Sequence, residues 1–83
     1  MTDSHKKAVL NRLSRAIGHM EFVKRMVEDG RDPSEVLVQL SAVKSAINST
    51  GILMIEEEID EVVNSGDTEK MEALLKAMER YCK

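Results

Sequence analysis

The chain has 83 residues, with 12 lysines and arginines against 15 aspartates and glutamates, a net charge of −3 and one cysteine. That length sets a single domain with a modest core. The lone Cys82 excludes an internal disulfide and fits a reducing cytoplasm, and Met1–Lys7 lacks the apolar run of a secretory signal. No stretch of about 18 uncharged apolar residues stands out, so no membrane span is expected. With aromatic residues at 2% of the chain, the core must come from Leu, Ile, Val, Met and Ala, which suits a helix bundle.

The first helix is predicted over about 6–28. Val9, Leu13, Ala16, Met20, Val23 and Val27 recur at alternating four- and three-residue steps, one stripe of a helix. Leu10, Ile17, Phe22 and Met26 widen it, and Gly18 is a mild defect within it. Residues 1–25 carry Lys6, Lys7, Arg12, Arg15, Lys24 and Arg25 against Asp3 and Glu21, a balance of +4, while the remainder sums to −7. An acidic chain with a basic first helix can still offer a local positive face to a polyanion.

A turn at Asp29-Gly30-Arg31 leads to the second helix, predicted over about 33–64. Asp32 can cap it, Pro33 suits the first helical position, and Glu35 can reach back to the cap N–H. Positions 36, 40, 43, 47, 50 and 54 form one apolar or small stripe, and Ile52, Ile55, Ile59 and Val62 form a second row. A helix of roughly 45 Å with two such rows needs cover on two sides and implies an oligomer. Asn64-Ser65-Gly66 ends it, and a third helix is predicted over about 68–82, its Met71, Leu74, Leu75, Met78 and Cys82 on one side. The fold class is all-α, with three unequal helices and an antiparallel first pair.

Leu10-Asn11-Arg12-Leu13-Ser14-Arg15-Ala16-Ile17-Gly18-His19 resembles the "LxRLxRIxGQ" helix of the small copper-, nickel- and formaldehyde-responsive repressors, the CsoR/RcnR family. Val36 to Asn48 resembles their more specific "DVLxQIxAVRxAxN" segment, and the tail ending in Tyr81 resembles the third helix of the nickel-type members. The resemblance implies an antiparallel four-helix dimer core, paired into a tetramer, that represses transcription by binding duplex operator DNA. Arg12, Arg15 and Lys44, with Lys6 and Lys7 as weaker members, stand at positions the resemblance assigns to DNA. On charge alone they equally suit a solvated helix face.

The inducer positions depart from the family, which often binds Cu(I), Ni(II) or Co(II). Pro33 stands at the family's cysteine, Glu58 at its histidine, and Val62 at the ligand four residues later. Cu(I) needs soft thiolates, and formaldehyde or persulfide sensing needs cysteine at these places. The resemblance therefore implies a repressor with an altered or lost inducer site.

The run Glu56-Glu57-Glu58-Asp60-Glu61 reads as a solvated acidic face, or, with Glu58 joined by His5 or His19, as a nitrogen–oxygen site for a borderline metal. His19, where the family has Gln, reads first as a hydrogen-bonded structural group. The methionines at 20, 26, 54, 71 and 78 read as gap-fillers in an aliphatic core. No nucleophile–base pairing or glycine-rich phosphate loop is present, so no enzyme is expected. A metal-binding protein and a helical protein-interaction module remain as the alternative functions.

Overall fold

Three capped helices account for nearly the whole chain in the computed structural model, which describes residues 1–83. They are α1 (Asp3–Glu28), α2 (Pro33–Ser65) and α3 (Thr68–Tyr81). α1 begins three residues earlier than the apolar stripe indicated. Thr2 caps it, its hydroxyl accepting from the His5 backbone N–H at 3.2 Å. A polar cap extends the helix beyond the last apolar residue, which periodicity cannot register.

At the α1–α2 turn, Gly30 adopts φ 72°. The Arg31 N–H then donates to the Met26 carbonyl at 2.9 Å and the Gly30 N–H to the Val27 carbonyl at 3.1 Å. This paired closure needs a left-handed residue, which glycine supplies without a Cβ clash. Asp32 caps α2 as expected, accepting from the Ser34 N–H at 2.9 Å and the Ser34 hydroxyl at 2.8 Å. These bonds hold its carboxyl below the usual range. The cap's charged form is therefore fully in place above the unfolded aspartate value, and its stabilisation fades as pH falls through the lower folded value. Glu35 does not reach back to the cap; it accepts from Arg31 Nε at 3.0 Å instead. Asp67 caps α3, accepting from the Glu69 and Lys70 N–H groups, both at 3.1 Å.

α1 and α2 form an antiparallel pair, and α3 folds back along the second half of α2, with no contact between α1 and α3. The three helices lie side by side with α2 in the middle, in a slab measuring 52 × 28 × 13 Å. Its radius of gyration of 16.4 Å exceeds the ~12 Å of a compact chain of this length. Only eight of the 83 residues are buried. One layer of helices cannot enclose a core; a second layer is needed.

The apolar stripes divide in a regular way. On α1, Val9, Ala16 and Val23 are buried while Leu13, Met20 and Val27 stay exposed. On α2, Val36, Val43 and Thr50 are buried while Leu40, Ile47 and Met54 stay exposed. Each stripe is thus two rows of seven-residue spacing, and the protomer covers one of them. Val23, Met26, Val36 and Val43 form the core cluster. Leu10, Ile17 and Leu37 enlarge the bare surface.

An 18-residue window of α2 reaches a mean hydropathy of 1.2. By length and composition alone it is apolar enough to cross a membrane, which corrects the expectation that no stretch qualifies. The residues responsible are those of the two packing rows, with Gln39, Lys44 and Asn48 set among them.

Met71, Leu74, Leu75 and Met78 of α3 line an apolar groove of about 230 Å³ with Ile59, Val62 and Val63 of α2. Val62 is 1% exposed, the most completely buried side chain in the chain. Cys82 departs from its expected place on this side: it is exposed and ends α3, its N–H donating to the Met78 carbonyl at 2.9 Å.

The Tyr81 hydroxyl lies 3.3 Å from both the Ile47 and Asn48 carbonyls, a donor shared between them. Its ring covers Gly51, where an added Cβ would overlap the phenol. Glycine inside a helix costs ~1 kcal/mol relative to alanine, and here the missing Cβ lets α3 close. Gly51→Ala is expected to gain little or no stability in the wild-type chain, because it displaces Tyr81. In a Tyr81→Ala background the same change is expected to stabilise by ~1 kcal/mol. A denaturant double-mutant cycle reads the difference; two equal effects would show that the ring does not rest on Gly51.

Candidate nucleic-acid interface

Antiparallel pairing sets which α1 residue meets which α2 residue. His19 faces Gln39, with 2.8 Å between Nε2 and Oε1. An amide oxygen only accepts, so Nε2 carries the hydrogen. One to two turns back along α1, Arg15 and Arg12 come alongside Ala46, Ser49 and Thr50 of α2. Together with Ala16 and His19 these residues line a groove of about 340 Å³. Thr50, 4% exposed, commits its hydroxyl to the Ala46 carbonyl at 2.9 Å.

No carboxylate partners either arginine. The ion pairs of the chain are the Met1 ammonium with Glu61 and Arg31 with Glu35, both at 3.0 Å, while the His5 ring lies 3.1 Å from Glu57. Lys6, Lys7 and Lys44 are likewise exposed and without an ion pair. The structure therefore brings Arg12 and Arg15 together. Lys44 lies outside the groove lining, and Lys6 and Lys7 lie nearer the start of α1. Ser49 and Thr50 were not singled out from the sequence. Their signal is the hairpin register: positions paired across α1 and α2 sum to a nearly constant number, so 19 with 39 places 12 beside the 46–50 segment.

The proposed metal residues are distributed differently from the pairing with Glu58. His5 Nδ1 sits 3.1 Å from Glu57 Oε2, but outside hydrogen-bonding alignment, and neither atom has another partner. His19 is engaged by Gln39. Glu58 lines a recess of about 250 Å³ with Glu61, Val62, Ser65 and Lys70. No three His, Cys, Asp or Glu side chains converge on one point within the protomer. The Met1 ammonium, by hydrogen bonding, holds the Glu61 carboxyl below its usual range. That contact stabilises the fold above the unfolded glutamate value and is lost as pH falls through the folded one.

Pro33 occupies the first turn of α2, and Val62 is sealed beneath α3. An imide ring, a carboxylate and a buried isopropyl group offer no soft donor. The residues at these three positions do not fit Cu(I).

The protomer is thus a single layer of three helices, open on one apolar face and carrying a basic groove without an ion pair. The family model described as "Metal-sensitive transcriptional repressor" matches residues 5–80. The chain belongs to that family of transcriptional repressors. It is 29% identical to the copper-sensing transcriptional repressor CsoR of Bacillus subtilis (strain 168), over 99% of this chain and 86% of that protein. It is 37% identical to the CsoR of Mycobacterium ulcerans (strain Agy99), over 72% of this chain and 50% of that longer protein. The copper-sensing repressor CsoR with Cu(I) from Geobacillus thermodenitrificans NG80-2 superposes with a TM-score of 0.87 at 26% identity, covering 100% of this chain and 92% of the other. The nickel-responsive transcriptional regulator InrS gives a TM-score of 0.78 at 31% identity, over 90% of both chains. The expected family and the three-helix all-α fold both hold.

Proposed function

We propose that this repressor binds duplex operator DNA as a homo-oligomer, and that its inducer site differs from the thiolate–imidazole type. The observation that carries the DNA reading is the pair Arg12 and Arg15, which face one groove with no carboxylate to neutralise them. Guanidinium groups kept free in an acidic protein suit phosphate contact, and Lys44, Lys6 and Lys7 extend the positive surface. The work of such a protein lies in the cytoplasm, where Cys82 stays reduced.

The bare seven-residue rows support the oligomer. Stacking two protomers face to face would supply the missing second layer and build an antiparallel four-helix dimer core. Two such dimers then make the tetramer. Twenty-five positions separate Pro33 from Glu58 on one helix, roughly 37 Å. The two can form one site only across a pair of antiparallel α2 helices. An effector acting there would shift the population between DNA-binding and non-binding assemblies.

A salt-titrated gel shift on the chain's own upstream DNA tests the reading. Arg15→Ala/Lys44→Ala is expected to lose roughly tenfold or more in affinity and to lower the salt slope by about 2, one for each phosphate contact removed. An unchanged slope would mean that these residues do not meet the backbone.

A second reading, a nitrogen–oxygen metal site, draws on His5 Nδ1 and Glu57 Oε2 facing each other without other partners. It expects stoichiometric nickel, cobalt or zinc uptake that is lost on Glu57→Ala and on His5→Ala.

A further inference from the structure

We propose that the groove between α1 and α2 is a seat for a single phosphoryl group, built from both helices, in which Ser49 completes what Arg12 and Arg15 begin and His19 walls one end. The inference deepens the DNA-binding reading and rests on it for one of two sources of the phosphoryl group, the duplex backbone or free phosphate. The groove is concave, and its roughly 340 Å³ accommodates a compact tetrahedral oxyanion with its water.

Arg12 and Arg15 are three residues apart, so both guanidinium groups reach the same side of α1. Their planar forks donate in pairs to phosphate oxygens, which a lysine cannot do. The opposite wall is polar as well. Thr50 has given its hydroxyl to Ala46, so the α2 donor is the Ser49 hydroxyl one residue earlier. His19 closes the end of the groove and is held in position, its Nε2 bonded to Gln39 and its ring beside Phe22 with centroids 6.4 Å apart. A free hydroxyl facing two unpaired arginines suits an anion. An acidic or neutral partner without oxyanion geometry would leave those donors unmatched. Because donors come from both helices, the seat depends on the α1–α2 spacing. That makes it a place where a change of assembly would be felt by the bound phosphate.

The test uses the full chain, wild type and Ser49→Glu, with Ser49→Ala as the milder variant, each checked for native helix content. In the first arm, melting is followed in 20 mM inorganic phosphate and in chloride at matched ionic strength. Free phosphate as a ligand is expected to raise the wild-type melting temperature by about 3 °C or more and to leave Ser49→Glu unmoved. In the second arm, duplex binding is followed by salt-titrated anisotropy. Ser49→Glu, which sets a carboxylate opposite the arginines, is expected to weaken binding at least ~tenfold and to lower the salt slope by about 1.

A loss in the DNA arm with no phosphate shift supports the seat and assigns it to the backbone. A phosphate shift with DNA binding unchanged supports it as a site for the free anion. A phosphate shift in a protein that binds no DNA at all sinks the operator reading and leaves the seat standing. A folded Ser49→Glu that binds DNA as the wild type does, with phosphate indistinguishable from chloride, overturns the proposal.

Discussion

Ile47→Glu is expected to dissociate the protein and to remove at least ~3 kcal/mol of stability, the cost of burying an unpaired charge. Within one protomer this position gives no warning, since Ile47 is 46% exposed. Substitutions at such a surface position usually stay within about 0.5 kcal/mol. The large effect follows from the row to which Ile47 belongs. Leu40, Ile47 and Met54 repeat every seven residues along α2, beside the exposed Leu13, Ile17 and Met20 of α1. Ile47 also lines a shallow apolar depression with Leu13, Ala16, Ile17 and Met20. A second protomer laid on this face would bury all of them. Light scattering after size exclusion, with urea unfolding at two protein concentrations, reads both quantities. An Ile47→Glu protein of unchanged mass and unfolding midpoint would refute the face-to-face dimer.

The triple variant Pro33→Cys/Glu58→His/Val62→Cys is expected to take up one Cu(I) per protomer, while the wild-type chain takes up none at these positions. Two thiolates and an imidazole are a donor set suited to Cu(I); the native trio is not. Competition against a Cu(I) chelator measures the change. Because Pro33 and Glu58 of one helix are roughly 37 Å apart, the gained site must draw Pro33→Cys from one protomer and the other two ligands from its partner. Adding Ile47→Glu should therefore abolish the uptake. Retention of Cu(I) by the dissociated quadruple variant would show that the ligands do not meet across the two-fold. Val62 gives the change a structural cost as well, since it is the side chain most deeply sealed between α2 and α3.

The second variant probes how this chain is proposed to differ from the CsoR and InrS proteins it resembles. The helices and their order are common ground, at a TM-score of 0.87 with the Geobacillus CsoR. Two of the positions where the family resemblance implies soft-metal ligands carry groups that shape the helix start and the core. Pro33 sets the first turn of α2, and Val62 anchors α3.

The sequence by itself determined the helices, because each is written locally. Apolar residues at four- and three-residue steps, Asp32 and Asp67 at the caps, and Gly30 and Gly66 where φ turns positive act within one or two turns of chain. It also showed the basic first helix and the missing thiolates, which are matters of residue type. Only the tertiary structure decided which half of each stripe the protomer uses. Val9, Ala16 and Val23 are chemically much like Leu13, Met20 and Val27, and periodicity places all six on one face. The packing angle of α1 on α2 then buries one row and leaves the other bare. The same register brings Ser49 to Arg12 and His5 to Glu57 instead of Glu58, and the packing of α3 on α2 brings Tyr81 onto Gly51. Each of these pairings joins residues more than 29 positions apart, and no local preference records where two helices will cross.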